Sequence, residues 1–377
     1  MSRRLISVAT GLGALAALIT MLALVVVNSD DTQGSSKAAS PFRAGALTVG
    51  LQDDQITGVI DDSVATRIER LVSSGVAFTR VDVSWSAVAP TRPAAPTDPN
   101  DPAYQWTRYD EVLDGLAARR IEPLVDFSGS PGWANGGKGP EVAPDVEAYG
   151  AFVHAFATRY RGQGRPRVRL YEPWDEPNTP LKLMPQWDAS GTKPASPAIY
   201  AGLLNRAFTE IKAVSSDAII VGSSAGDVET SAPPAGGVSV LDWTAALTVL
   251  HPRMNAVAQH IEPSIAPSAP SDAVPSFATL PRLMQELDKL APGAPVLITR
   301  FGYGTAAGGL TEADQAAFVT QGLQRLAAAP RVRLVIWGSV RDTAERQFGL
   351  LRQDGSEKPA WSVFATGPKA LPSAAAP

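Results

Sequence analysis

Two stretches of the chain place ionisable side chains at the ends of apolar runs. Residues 170–178 read Leu-Tyr-Glu-Pro-Trp-Asp-Glu-Pro-Asn, and residues 296–305 read Val-Leu-Ile-Thr-Arg-Phe-Gly-Tyr-Gly-Thr. The first offers the adjacent carboxylates Asp175 and Glu176, and the second offers Arg300. A carboxyl group can give or take a proton, whereas a guanidinium stays protonated and only donates hydrogen bonds. Further acids lie near apolar runs: Asp126, Glu172, Glu262 and Asp342. Trp85, Trp133, Trp174, Tyr303 and Trp337 fall at or just beyond expected strand ends, and aromatic faces at a cleft are what sugar rings stack on. His260 follows another apolar run, while His154 and His251 read as structural. No spacing of His with acidic residues suggests a metal site, and no cofactor is expected.

The first stretch resembles the Trp-Asn-Glu-Pro signature of clan A glycoside hydrolases, the (β/α)8 group that includes families 5 and 39. The second resembles the nucleophile strand of that clan, where Thr-Glu-Phe-Gly is usual. Shorter matches follow in barrel order: 79–85 (Thr-Arg-Val-Asp-Val-Ser-Trp), 130–134 (Ser-Pro-Gly-Trp-Ala), His260, Trp337 and the closing 348–360. The resemblance covers most of Phe42 to Thr366 and implies an O-glycosyl hydrolase in which Glu176 is the acid/base. Its remaining implication is a departure, because the position of the nucleophilic Glu holds Arg300, and Asp175 stands where the family has Asn.

A retaining glycosidase needs two carboxyls about 5 Å apart, one of them a nucleophile. A cation at that range repels an oxocarbenium-like centre by about 3 kcal/mol at an effective dielectric of 20. The same cation lowers a carboxylate pKa, whereas a general acid needs its pKa raised. An ion pair of Arg300 with Glu176, Asp175 or both is expected. The leading expectation is thus a barrel that retains sugar binding with impaired catalysis. The alternatives are an active glycosidase using a relocated carboxylate, for which Glu262 is the best placed, and a non-catalytic surface scaffold.

Positioning these groups falls to an alternation of strand and helix patterns, the mark of a parallel sheet with crossover helices. The strands read as 44–51, 76–84, 121–127, 168–174, 218–222, 255–261, 296–301 and 332–337. Helices read as 61–73, 109–119, 146–160, 199–213 and 280–290, with a further one opening at the capping-box pattern Thr311-Glu312-Ala313-Asp314. Eight such units predict a (β/α)8 TIM barrel in the α/β class, with no Gly-rich phosphate turn after the first strand to favour a doubly wound sheet. The Pro/Ala/Ser-rich stretches 89–102, 184–197, 230–238 and 263–276 read as loops of the active face.

With 377 residues, 45% hydrophobic and 19% charged, the chain holds ample core for one large domain, read as 42–366. A formal charge of −4 and no recognition motif argue against a nucleic-acid partner. Cysteine is absent, which removes thiol and disulfide chemistry. Residues 1–4 carry two arginines, and Leu5 to Val27 is long and apolar enough to span a bilayer. An uncleaved transmembrane signal anchor is expected, with residues 28–41 as a flexible linker, the barrel outside the cell membrane and 367–377 as a flexible tail. A cleaved signal peptide and a secreted protein is the alternative. The expected partners are a polysaccharide or glycoconjugate, and the membrane through that N-terminal helix.

Overall fold

The computed structural model describes residues 41–42, 45–58, 62–306 and 309–372. The expected anchor, Leu5–Val27, and nearly all of the linker lie outside the described residues. Among the described residues no helix is long and apolar enough to cross a membrane.

Eight parallel strands alternate with helices: β1 (Ala46–Leu51), α1 (Val64–Ser73), β2 (Phe78–Ser84), the one-turn α2 (Trp85–Val88), α3 (Thr107–Ala118), β3 (Glu122–Ser128), α4 (Val146–Arg159), β4 (Leu170–Pro173), α5 (Ser196–Val214) and β5 (Ile219–Ala225). The series continues with α6 (Val240–Leu250), β6 (Ala256–Ile261), α7 (Leu280–Leu290), β7 (Val296–Phe301), α8 (Glu312–Ala328), β8 (Val332–Trp337), α9 (Pro359–Thr366) and a short β9 (Ala370–Pro372). The helices form because one stripe of each is apolar. In α7, Leu280, Leu283, Met284, Leu287 and Leu290 are buried at helical spacing. The expected cap of α8 is present in both directions, with Asp314 N donating to Thr311 Oγ1 at 3.1 Å and Thr311 N to Asp314 Oδ2 at 3.0 Å.

Parallel ladders run from β2 through β8 and on to β1, so the sheet curls round as a barrel expects. Among the described residues no ladder joins β1 to β2. The two strands meet at Gly50, where an added Cβ would lie 2.8 Å from the Phe78 carbonyl oxygen. Only glycine fits that approach. The lower half of the free β1 edge is taken by β9, whose residues 370–372 pair antiparallel with Ala46–Thr48. This corrects the expectation of a flexible tail from Gly367: three of its residues are strand because β1 offers them unpaired backbone groups.

At the N-terminal end of the strands, Phe42, Phe78, Leu124, Leu170, Leu297 and Leu334 fill the interior. One residue pair higher the filling becomes polar, with Arg80, Asp126, Glu172 and Thr299 all buried. The C-terminal mouth lies above this layer.

Candidate functional site

The turn after β4 is shaped by two non-glycine residues in the left-handed region, Trp174 at φ 79° and Glu176 at φ 41°. Such backbone is costly and is tolerated where its surroundings fix it. Here the Trp174 indole N–H donates to the Lys182 carbonyl at 2.9 Å, tying the loop back on itself. The turn sends Asp175 into the barrel, where it is buried, and leaves Glu176 partly open at the mouth. Arg300, on β7, reaches Glu176 from the other side: its Nη1 donates to Glu176 Oε1 at 2.9 Å, and its Nη2 stands 3.9 Å from Asp175 Oδ2. His260 of β6 binds the same oxygen, Nδ1 to Oε1, at 2.9 Å. The sequence-expected group Glu176, Asp175, Arg300 and His260 is therefore one cluster.

Gly338, directly after β8, makes room for it. A Cβ there would lie 2.9 Å from Arg300 Cγ and 3.2 Å from Glu262 Oε1. Glu262 thus flanks the stem of Arg300, but its carboxylate is engaged by Arg346. This removes it as a free relocated carboxylate. Asp342 is likewise bound, to Lys358 Nζ at 2.8 Å.

Three site groups were not singled out from the sequence. Arg80, in the middle of β2, donates to Asp175 Oδ1 at 2.6 Å and to Glu172 Oε1 at 3.3 Å, and stands 3.4 Å from Asp126 Oδ2. Lys182 reaches Asp175 Oδ2 at 2.7 Å. Asp54, in the loop after β1, accepts from Ser339 Oγ at 3.1 Å. Arg80 belongs to the 79–85 stretch, but nothing in a strand arginine says that it points inward. Lys182 and Asp54 sit in loops that no periodicity marks.

The electrostatics follow from this crowding. Burial and the neighbouring Asp175 would raise the Glu176 pKa, but the His260 hydrogen bond and the Arg300 charge prevail and hold it at about 2. Burial opposes ionisation of Asp175 too, yet Arg80, Lys182 and Arg300 keep it well below the usual carboxylate range. Burial disfavours His260 as a cation, and the Glu172 and Glu176 carboxylates outweigh it and lift its pKa to about 9. Asp126 and Asp227 go the other way. Burial pushes both far up, against the pull of Arg80 on Asp126 and with the push of Glu262 on Asp227. Asp54 rises to about 6, through burial and then the charges of Asp53 and Asp82.

Glu172, Asp175 and His260 bring ligand-type atoms within 4.8 Å of one another, a cluster that sequence spacing did not suggest. The Arg80 guanidinium already lies between the two carboxylates, and His260 is held protonated, so the charge a metal ion would supply is supplied by side chains.

The aromatic set is corrected by burial. Trp85, Trp174, Tyr303 and Trp337 are fully buried and pack against other rings, so they offer a sugar no face. They stand at strand ends because loops fold over them. Trp133 alone of the five is half-exposed, edge-on to Trp85 at 5.5 Å, with the Arg92 guanidinium 5.3 Å from its ring centre.

Chemically, the mouth offers an ionised Glu176 whose Oε1 is saturated by two donors, one of them the fixed cation Arg300.

No family model and no curated protein matches the chain. Solved structures do. A family 39 glycoside hydrolase from Bacteroides cellulosilyticus WH2 superposes with a TM-score of 0.62 at 18% identity, over 84% of this chain and 62% of that one. A monomeric β-xylosidase from Caulobacter crescentus CB15 gives 0.59 at 19%, over 85% and 67%. A GH5_18 protein from Streptomyces cattleya, described in complex with GlcNAc, gives 0.61 at 17%, over 85% and 79%. The chain therefore spans about three fifths of the length of the first of these, and it shares the fold of family 39 and family 5 clan A glycoside hydrolases.

Proposed function

We propose that the protein is a clan A glycoside hydrolase homologue that binds a polysaccharide or glycoconjugate at the barrel mouth, outside the cell membrane, with glycosidase catalysis lost or strongly reduced. The observation that carries this is the Arg300–Glu176 ion pair at 2.9 Å. It puts a cation in place of a nucleophile and holds the acid/base position at about 2, where no proton is available for a leaving group near neutral pH. The fold likeness to proteins described as a β-xylosidase and a GlcNAc complex makes β-linked xylose and N-acetylglucosamine glycans the first ligands to try.

A glycan array probed with the full chain, followed by reducing-sugar release on every hit, tests both halves. Binding without release is expected. No binding to any glycan would remove the carbohydrate reading. Release by the wild type would favour a relocated acid, for which Asp54, poised at about 6 at the mouth, is the group to replace by Asn.

A further inference from the structure

The turns that lead from helices into the parallel strands, at the end of the barrel opposite the mouth, are rich in arginine. Arg119 and Arg120 precede β3, and Arg161, Arg165, Arg167 and Arg169 precede β4. Arg253 and Arg331 continue the series before β6 and β8, and most of these side chains are ion-paired: Arg119 with Glu69, Arg165 with Asp110 and Asp114, Arg167 with Asp217, Arg169 with Glu122 and Arg331 with Asp288. Part of this has a local cause. Helix C-termini leave carbonyls unpaired, and Arg331 caps Ala291 and Ala294 at 3.2 and 2.9 Å while Lys369 caps Ala365 at 3.2 Å.

Arg120 and Arg161 are not explained that way. Both are exposed, and neither makes an ion pair or caps a carbonyl through its side chain among the described residues. Arg120 sits at the lip of a cleft of about 270 Å³ that Glu122, Pro166, Arg167 and Val168 also line. The described chain also begins on this face, with Phe42 stacked on Phe78 at 6.3 Å at the foot of the barrel. The 40 residues before Pro41 include the apolar run Leu5–Val27, long enough in sequence to span a bilayer.

We propose that this face docks on an anionic phospholipid surface, with the exposed, unpaired Arg120 and Arg161 meeting lipid phosphates and the sugar-binding mouth turned away from the membrane. Charge complementarity and the place where the chain enters the barrel both select a lipid surface as the occupant.

The absence of cysteine makes the test direct. Full-length chains carrying Gln163→Cys, on the exposed turn between Arg161 and Arg165, or Leu181→Cys, 84% exposed at the mouth, would be reconstituted with phosphatidylcholine vesicles with or without phosphatidylglycerol. The rate of reaction with a membrane-impermeant maleimide is then measured. Position 163 should react several-fold more slowly when phosphatidylglycerol is present, and position 181 should not. High salt should abolish the difference, as should Arg120→Glu with Arg161→Glu, or the milder Gln pair should those variants fold poorly by circular dichroism. Equal rates at 163 in the two lipid mixtures, equal slowing at both positions, or a chain that stays in solution beside the anionic vesicles would overturn the proposal. So would the same slowing at 163 by a DNA duplex without vesicles, which would assign the face to nucleic acid instead.

Discussion

Arg300 controls the chemistry because it acts on two groups at once. In the proposed reading it occupies the place of a nucleophile, and its charge, 2.9 Å from Glu176, keeps that carboxyl ionised. Arg300→Glu should therefore raise glycosidase activity above wild type on a bound glycan, by returning the second carboxylate and letting the Glu176 pKa climb. Asp175→Asn belongs in the same variant, since Asp175 balances cations one of which would be gone. A reducing-sugar assay with chemical trapping of the glycosyl-enzyme reads the outcome. If the wild type already cleaves and Arg300→Glu is slower, Arg300 serves a different mechanism.

The same cluster predicts a pH signature. Glu176 has its folded pKa depressed from 4.5 to about 2, so its contribution to stability is present above 4.5 and is lost as pH falls towards 2. His260 has its folded pKa raised from 6.5 to about 9, so its contribution is complete below 6.5 and is lost as pH rises through 9. The His260 shift corresponds to about 3 kcal/mol over that alkaline window. Urea midpoints measured from pH 6 to 10 should fall in wild type and flatten in His260→Phe, which starts lower.

These four residues were legible because strand-end motifs carry them. Arg80 and Lys182, which hold Asp175, were not, since inward direction and loop closure are properties of the folded barrel. The five aromatic residues misled for a related reason: a strand-end ring can lie above or beneath the loop that follows it, and here four of the five lie beneath.

At the scale of elements, periodicity located β7 and β8 to the residue, and the other strands to within a few residues. The overlooked helices show its limits. α6 carries Leu241, Val249 and Leu250 outside its buried face, which blurs the helical stripe, and α9 is only eight residues long. Strand β9 had no signal at all, because three residues of Ala-Leu-Pro become strand only beside the open edge of β1. Deleting residues 367–377 should uncover that edge, lower the melting temperature by several degrees and increase aggregation by light scattering. A truncated chain as stable and as monodisperse as wild type would show β9 to be dispensable. Thr311→Ala offers a calibrated comparison. It removes a reciprocal cap from α8 and should cost about 1 kcal/mol in chemical denaturation, without affecting glycan binding.

Across the whole molecule, a parallel barrel aims every crossover helix the same way, so preferences at single helix ends add up. Acids occupy first turns, as with Glu147, Asp242 and Glu312, and bases occupy last turns, as with Arg70, Lys212 and Lys289, whereas Arg159 and Arg165 are neutralised by Asp110. First turns ring the mouth, and last turns ring the opposite face. The result is a charge polarity along the barrel axis that no single helix was selected to produce. At the mouth the loop acids Asp53 and Glu262 are tied to Arg67 and Arg346 and burial keeps Asp227 protonated, while the cations closest to the site, Arg300, Lys182 and Arg346, are each tied to an acid. An acidic glycan entering beside the ionised Glu176 finds Arg300 and His260 already bound to that carboxylate, which penalises uronates and sulfated sugars and leaves neutral ones unaffected. Neutral polysaccharides should therefore bind more tightly than uronate-containing ones of the same backbone at low salt. The gap should narrow as ionic strength brings the screening length to about 10 Å, near 0.1 M. Titration calorimetry on a matched neutral and acidic pair at two salt concentrations decides it. Tighter binding of the acidic glycan would mean that it breaks the Arg300–Glu176 pair and takes the guanidinium for itself.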